Sequence, residues 1–375
     1  MYQLKQNRLI KLGDREMRNI SICFDAACIS ENKMYFFTKY ANMLCELDIL
    51  ENKIKILGNI PGYHFLAERL CGDLIKYNEE LILIPSCAED IWIFNIELSS
   101  WKKISLSLPK INYKFVDSVV YGKKLYMIGY FYPKIVCLDL ITKKKEEIGT
   151  SYTSNNGVYF GFNNLLIDDI LLVVCCSEAM VLKINLSEYR EEKIYFNDIK
   201  NGFIGIAWDG EKFWLASYIS GGLLIWDGKK TKRELFEDTK LNYPLGVVSD
   251  TKKIIYVSCY EEKRIIIEDE HMEFLEEQVA YSYLRNKNGY LISQKLNGNL
   301  ELFNLENNQK KNIELLMNIS TNLIIDDMHT IEKRILNESE IITLRILLSG
   351  CDSKKFNKIV EQKNNIGMKI YESLK

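Results

Sequence analysis

The chain has 375 residues, 47% hydrophobic and 27% charged, and its 49 Lys and Arg nearly balance 51 Asp and Glu. That apolar content supports a sizeable core and excludes general disorder. The near-neutral balance argues against a generic nucleic-acid binder, which carries a basic excess.

The N-terminal stretch MYQLKQNRLIKLGDREMRN has no apolar h-region, so no secretory signal is expected. No run of about eighteen apolar residues is present to span a membrane as a helix. The ten cysteines, at 23, 28, 45, 71, 87, 137, 175, 176, 259 and 351, form no CxxC pair and sit mostly in apolar runs such as LLVVCC. They read as buried free thiols of a reducing, cytoplasmic compartment.

From about residue 20 a short apolar run recurs, beginning at Met34, Leu81, Leu125, Leu171, Phe213, Ile254 and Tyr290. Fourteen residues after each stands a polar residue closing a second apolar run: Asp48, Asn95, Asp139, Asn185, Asp227, Glu268 and Asn304. Another apolar stretch precedes each anchor (DSVVY, IGIAW, GVVS), separated from it by turn chemistry such as SEN, YGK, DGE or NKNG. A second turn and an alternating stretch (KIKIL, EKIYF, RELF) follow. Each unit therefore carries four strands, a to d, joined by tight turns, and no run keeps a helical period for more than a turn. The Asp/Asn column suits Asx-turns that cap the c–d connection.

These units resemble the β-propellers of the kelch-like and WD-like superfamily, over roughly four-fifths of the chain. The likeness lies in architecture: the kelch double glycine is missing, and the WD pair occurs once, at Trp226-Asp227. The implied fold is all-β, a seven-bladed propeller with a C-terminal α-helical tail. Six or eight blades are the alternatives, since the seventh unit is the least regular. The expected organisation is an N-terminal strand in 1–19, a propeller over 20–325 and a helical extension over 326–375. Residues 2–12 could close the ring, or KKNIELL at 310–316 could be the last unit's own outer strand. In the tail, 338–349 reads as a helix, and Phe356, Ile359, Val360, Ile366, Ile370 and Leu374 form one apolar stripe suited to the propeller rim, a partner or a second copy.

Candidate chemistry is sparse. The histidines, His64, His271 and His329, lie in different units without HxH or HExxH spacing, and no GxSxG elbow, Walker loop or Rossmann glycine pattern occurs. No metal and no cofactor is therefore expected. Strand order brings the d–a and b–c loops to one face, where tyrosines and phenylalanines gather: Tyr113, Tyr130, Phe131, Tyr132, Tyr159, Tyr218 and Tyr243. They fit either wedges between blades or anchors for a ligand. Asp25, Asp73 and Asp117 stand near the expected channel as the candidate acids or bases, and Asn163 is at the matching place. The sequence thus favours a non-enzymatic binding or scaffold propeller that takes a protein or peptide, or alternatively a glycan, at its loop face, with no nucleic acid and no membrane span. The competing reading is a propeller enzyme, a lyase, cyclase or glycan-active protein, working through the channel carboxylates.

Overall fold

Each repeat unit folds into an antiparallel four-stranded sheet with its strands in chain order. In the computed structural model, residues 17–320 are described, except 66, 149–153, 155–156, 197–198, 200, 220–221, 230, 235–243, 251–252, 259–262, 269–270 and 277–278. Seven such sheets follow one another, over 24–58, 71–104, 115–148, 165–195, 203–234, 244–276 and 281–314. The a–b turns show why the chain folds back where it does. The strand a of sheet seven (Tyr281–Lys287) ends in Asn288-Gly289, with φ of 52° and 76°, the left-handed pair that a two-residue hairpin needs. The polar column caps the c–d turns: Asp48 Oδ1 accepts from the amides of Leu50 and Glu51, Asp139 Oδ1 from Ile141 and Thr142, and Asn185 Oδ1 from Ser187 and Glu188.

The core is a series of layers between neighbouring sheets. Sheets one and two enclose Tyr35, Phe37, Leu74, Leu83 and Phe94; sheets two and three enclose Ile82, Ile93, Phe115 and Met127. Burying each such side chain contributes roughly 1.5–3 kcal/mol. Outer strands are mostly exposed, as in Lys53–Gly58 and Ser100–Ile104, because only one neighbour covers them. Six of the seven a strands open with a β-bulge, at Asp25, Gly72, Val116, Ile204, Leu245 and Ser282, which re-aims their first residues toward the axis.

Sheet seven packs against sheet one and closes the ring. Phe24 meets Tyr283 edge-on at 4.8 Å, and the buried Gln294 amide accepts from Phe24 N at 3.0 Å and donates to Ile22 O at 2.7 Å. Lys310–Glu314 is the last sheet's own outer strand, the second of the two arrangements considered for that blade. Residues 2–12 lie outside the described residues. The N-terminal strand that is described, Met17–Ser21, pairs with Leu316–Ser320 in a separate two-stranded ribbon. The seventh unit differs in one further way. Lys33 faces Asp48 across its hairpin, but Tyr290 faces Asn304, so the b–c hairpin of sheet seven is one residue shorter. Its structural counterpart of Met34 is Leu291, one residue after the apolar anchor read from the sequence. The helices expected at 338–349 and 356–374 lie outside the described residues.

Candidate functional site

The bulged starts of six a strands place Ala26, Asp73, Asp117, Gly205, Gly246 and Tyr283 at one level around the channel, and Asn163, bridged to Gly205 just before the a strand of sheet four, joins them. From the far end of strand a in sheet seven, Lys287 reaches back to this level. Its ammonium lies 2.6 Å from Asp73 Oδ2 and 3.6 Å from Asp117 Oδ1, so one lysine ties sheet seven to sheets two and three. Asp73 also accepts from Ser118 Oγ at 2.6 Å and Leu74 N at 2.9 Å. Asp117 accepts from Ser118 N at 2.9 Å and from the backbone and side-chain nitrogens of Asn164 at 2.8 and 2.9 Å. Burial pushes the Asp117 carboxyl above its usual range, an effect that Lys287 and Arg285 offset only in part. Burial would lower the Lys287 ammonium, but the Asp73 and Asp117 charges outweigh it and hold its pKa above the usual lysine value. Two carboxylates are thus in place together, but each is saturated with donors.

The other channel cation is Arg285, whose Nη1 donates to Asn163 Oδ1 and, at 3.1 Å, to Leu284 O. Its guanidinium lies 5.5 Å from the Phe162 ring and 5.6 Å from the Tyr283 ring. Phe162 starts an aromatic row on the loop face. It meets Tyr130 at 4.9 Å, Tyr130 stacks on Phe131 at 4.8 Å, and Phe131 meets Tyr113 edge-on at 5.8 Å. The Arg69 guanidinium lies over Tyr113 at 5.5 Å, and Arg69 Nε stands 4.0 Å from Asp25 Oδ2. Lys39 Nζ completes the row, 3.3 Å from Asp25 Oδ1 and 5.6 Å from the Tyr40 ring. Asp25 therefore belongs to the mouth, as a bulge residue between two cations, and Asp73 and Asp117 belong to the neck below it.

The structure divides the aromatic candidates. Tyr113, Tyr130 and Phe131 share the row. Tyr132 does not: it is 7% exposed, packs on Phe115 at 5.7 Å and donates to Glu147. Chain direction reverses within three residues there, so the third ring turns into the layer between sheets two and three. Tyr159 and Tyr218 are half-buried at the loop face, with their backbones tied to Tyr130 O and Gly202 O at 2.8 and 2.9 Å, and their rings pack on the neighbouring layers. Tyr243 lies outside the described residues. Sequence reading passed over Arg69, Phe162, Asn164, Arg285 and Lys287. The available signal was Arg285 in the innermost strand of unit seven, at the place where other units carry Cys28, Ile75, Val119, Leu165, Ala207 and Val248.

Among the described residues, burial disfavours the thiolate form of the cysteines, raising Cys137 to about 11 and Cys28 to about 12. Among the described residues no group of three or more His, Cys, Asp and Glu is arranged to hold a metal ion, and no helix is long and apolar enough to cross a membrane.

No family model and no curated protein matches the chain. Solved structures match at the level of fold. A catalytically inactive histidine-to-alanine variant of virginiamycin B lyase from Staphylococcus aureus, bound to quinupristin, superposes with a TM-score of 0.60 at 12% identity, covering 75% of this chain and 96% of the lyase. A streptogramin B lyase gives 0.59 at 12% identity over 82% and 98%. BamB from Moraxella catarrhalis gives 0.54 at 13% identity over 74% and 84%. The chain is a β-propeller, and at these identities the likeness shows the architecture alone.

Proposed function

We propose that the chain is a binding propeller that takes a protein or peptide segment across its loop face, on the row from Lys39 and Arg69 to Tyr113, Phe131 and Tyr130. One observation carries this reading. Arg69 and Tyr113 both adopt left-handed backbone conformations, with φ of 50° and 54°, two residues before their a strands, and their side chains stack on each other. Most other non-glycine residues with positive φ sit in tight turns, where polar residues tolerate it. A long cation and a large aromatic held in a strained conformation at a channel mouth cost of order 1 kcal/mol each, and such cost concentrates at ligand-binding positions. The row presents cations and aromatic faces together, the composition of an interface anchor.

The lyase neighbours favour a second reading, with Asp73 or Asp117 as the base. Saturation of both carboxylates weighs against it, as does the absence of histidine among the residues lining the channel cavity. The decisive experiment selects peptides from a random display library against the whole chain, then measures affinities for Arg69→Ala and Tyr130→Ala. Losses of roughly tenfold or more are expected for each. Selected peptides that bind both variants unchanged would place the binding surface elsewhere. Quinupristin, the ligand of the lyase structure, should keep its chromatographic retention and its absorbance on prolonged incubation with the chain; a new species, including one of unchanged mass such as a ring-opening elimination leaves, would establish the enzymatic reading.

A further inference from the structure

Below the neck, toward the a–b turns, the channel widens into a cavity of about 440 Å³. That size suits a small organic molecule. It is lined on one side by Asp117, Asn163, Arg285 and Lys287 and elsewhere by apolar side chains such as Val119, Leu165 and Val248, with Tyr77 and Trp208 where the a strands end. Three cations, Lys76, Arg285 and Lys287, share this lining with one carboxylate, Asp117. Lys287 is engaged by Asp73 and Asp117, and Lys76 stands 4.0 Å from Glu79. Arg285 is different. It is 9% exposed and, among the described residues, has no carboxylate within ion-pair distance and uses only Nη1 for hydrogen bonds, leaving Nε and Nη2 without an acceptor there.

A buried guanidinium whose carboxylate neighbour, Asp117, acts on it only from beyond contact distance is costly to keep. This one is also held in place. Phe162 and Tyr283 fix its plane, and Asn163 fixes its Nη1 end while donating to Val247 O and Leu284 O at 3.3 Å each. Two glycines make room for that amide. A Cβ on Gly205 would come within 3.0 Å of Asn163 Cβ, and one on Gly246 within 2.9 Å of Asn163 Oδ1. Three sheets besides sheet seven thus contribute to holding one arginine whose open donors match an oxyanion in a planar, two-point fashion.

We propose that this end of the channel binds a small organic oxyanion, with its carboxylate or phosphate on Arg285 and its apolar body against the Val119, Leu165 and Val248 wall. The site lies at the opposite end of the channel from the loop face and does not depend on the reading of that face. The test is calorimetric titration of the full chain with phenyl phosphate, phenylacetate, inorganic phosphate and benzyl alcohol. One of the two aryl anions should bind with one-to-one stoichiometry, and which of them binds more tightly identifies the acid group. Arg285→Met should weaken it at least roughly tenfold, as loss of a charged hydrogen-bond partner does. Lys76→Glu, at the turn-face end of strand a in sheet two, leaves the neck intact and should weaken it about threefold or more through repulsion. This second variant decides the matter if Arg285→Met fails to fold. Arg69→Ala should leave the affinity unchanged. Failure of both aryl anions to bind, or binding that neither variant alters, overturns the proposal. Benzyl alcohol binding as tightly as the anions overturns its charge requirement, and inorganic phosphate binding as tightly as phenyl phosphate overturns the apolar wall.

Discussion

The two ends of the channel handle charge in opposite ways. At the loop end Arg69 has a side chain 36% exposed, meets Asp25 only at 4.0 Å, and carries its strain in the backbone. At the neck and the turn end Arg285 is buried and Lys287 has a side chain only 10% exposed, their backbones are regular strand, and their cost lies in desolvation. The loop end can therefore lose a side chain without disturbing the ring, whereas the neck cannot. That difference separates a surface built for contact from a network that binds sheet seven to sheets two, three and four.

The largest effect is expected at Lys287. Lys287→Met keeps the stem but leaves Asp73 and Asp117 buried without their shared cation, and breaking a buried pair in this way costs about 3–5 kcal/mol. The loss has a pH signature. Burial already raises the Asp117 carboxyl, and without Lys287 it rises further. The folded variant then holds a proton more tightly than the unfolded chain, so its stability recovers as pH falls through that raised value and declines as pH rises. Denaturant melts at several pH values should show the deficit shrinking toward acid. A deficit independent of pH would mean that the cost is one of packing rather than charge.

Tyr132→Ala comes next, at about 3 kcal/mol, because it empties a ring-sized space beside Phe115 and removes the donor to Glu147. Tyr130→Ala, two residues earlier, should cost clearly less, since its ring stacks on the half-buried Phe131 and Phe162 at the mouth. Equal melting shifts for the two variants would remove the distinction between wedge and anchor.

That distinction shows what the sequence could and could not reveal. The four-strand unit was legible because turn residues and the Asx column recur at fixed spacing, and spacing along one chain is what a sequence records. The aromatic cluster at 130–132 was legible as a cluster, but which ring turns inward depends on where a hairpin reverses. The channel network was hidden for a different reason. Lys287 meets Asp73 across a separation of 214 residues and Arg285 meets Asn163 across 122. Such pairings exist only once the ring closes. The one-residue shortening of the last hairpin was masked by anchoring that unit on Tyr290, which restored the common spacing by chance.

A smaller effect tests the loop end between sheets six and seven. Glu301 meets Arg264 at 2.8 Å, Lys310 at 3.4 Å and Lys295 at 4.0 Å. Burial alone would raise its carboxyl, but Arg264 foremost, with Lys310 and Lys295, holds it below the ordinary value of 4.5. The stabilisation is present above that value and is lost as pH falls through the depressed one. Glu301→Gln should therefore cost about 1 kcal/mol near neutral pH and flatten the acid limb of the stability profile. An unchanged acid limb would show that the three cations are solvated rather than paired.

The smallest change in stability is expected at Arg69, and it is the sharpest test of the contrast between the two ends. Arg69→Gly removes the stacking on Tyr113 and the distant pairing with Asp25, both partly solvated and each worth well under about 1 kcal/mol. It also supplies the residue that adopts a φ of 50° without steric cost, a gain of about 1 kcal/mol that offsets the loss. The melting midpoint should stay level or rise slightly, while affinity for peptides selected on the loop face falls at least roughly tenfold. Arg69→Ala, which keeps the backbone cost and loses the same contacts, should be the less stable of the two variants and equally poor at binding. If glycine instead destabilises the chain as much as alanine does, the left-handed conformation carries no strain, and the feature that marks this end of the channel as a binding surface is lost.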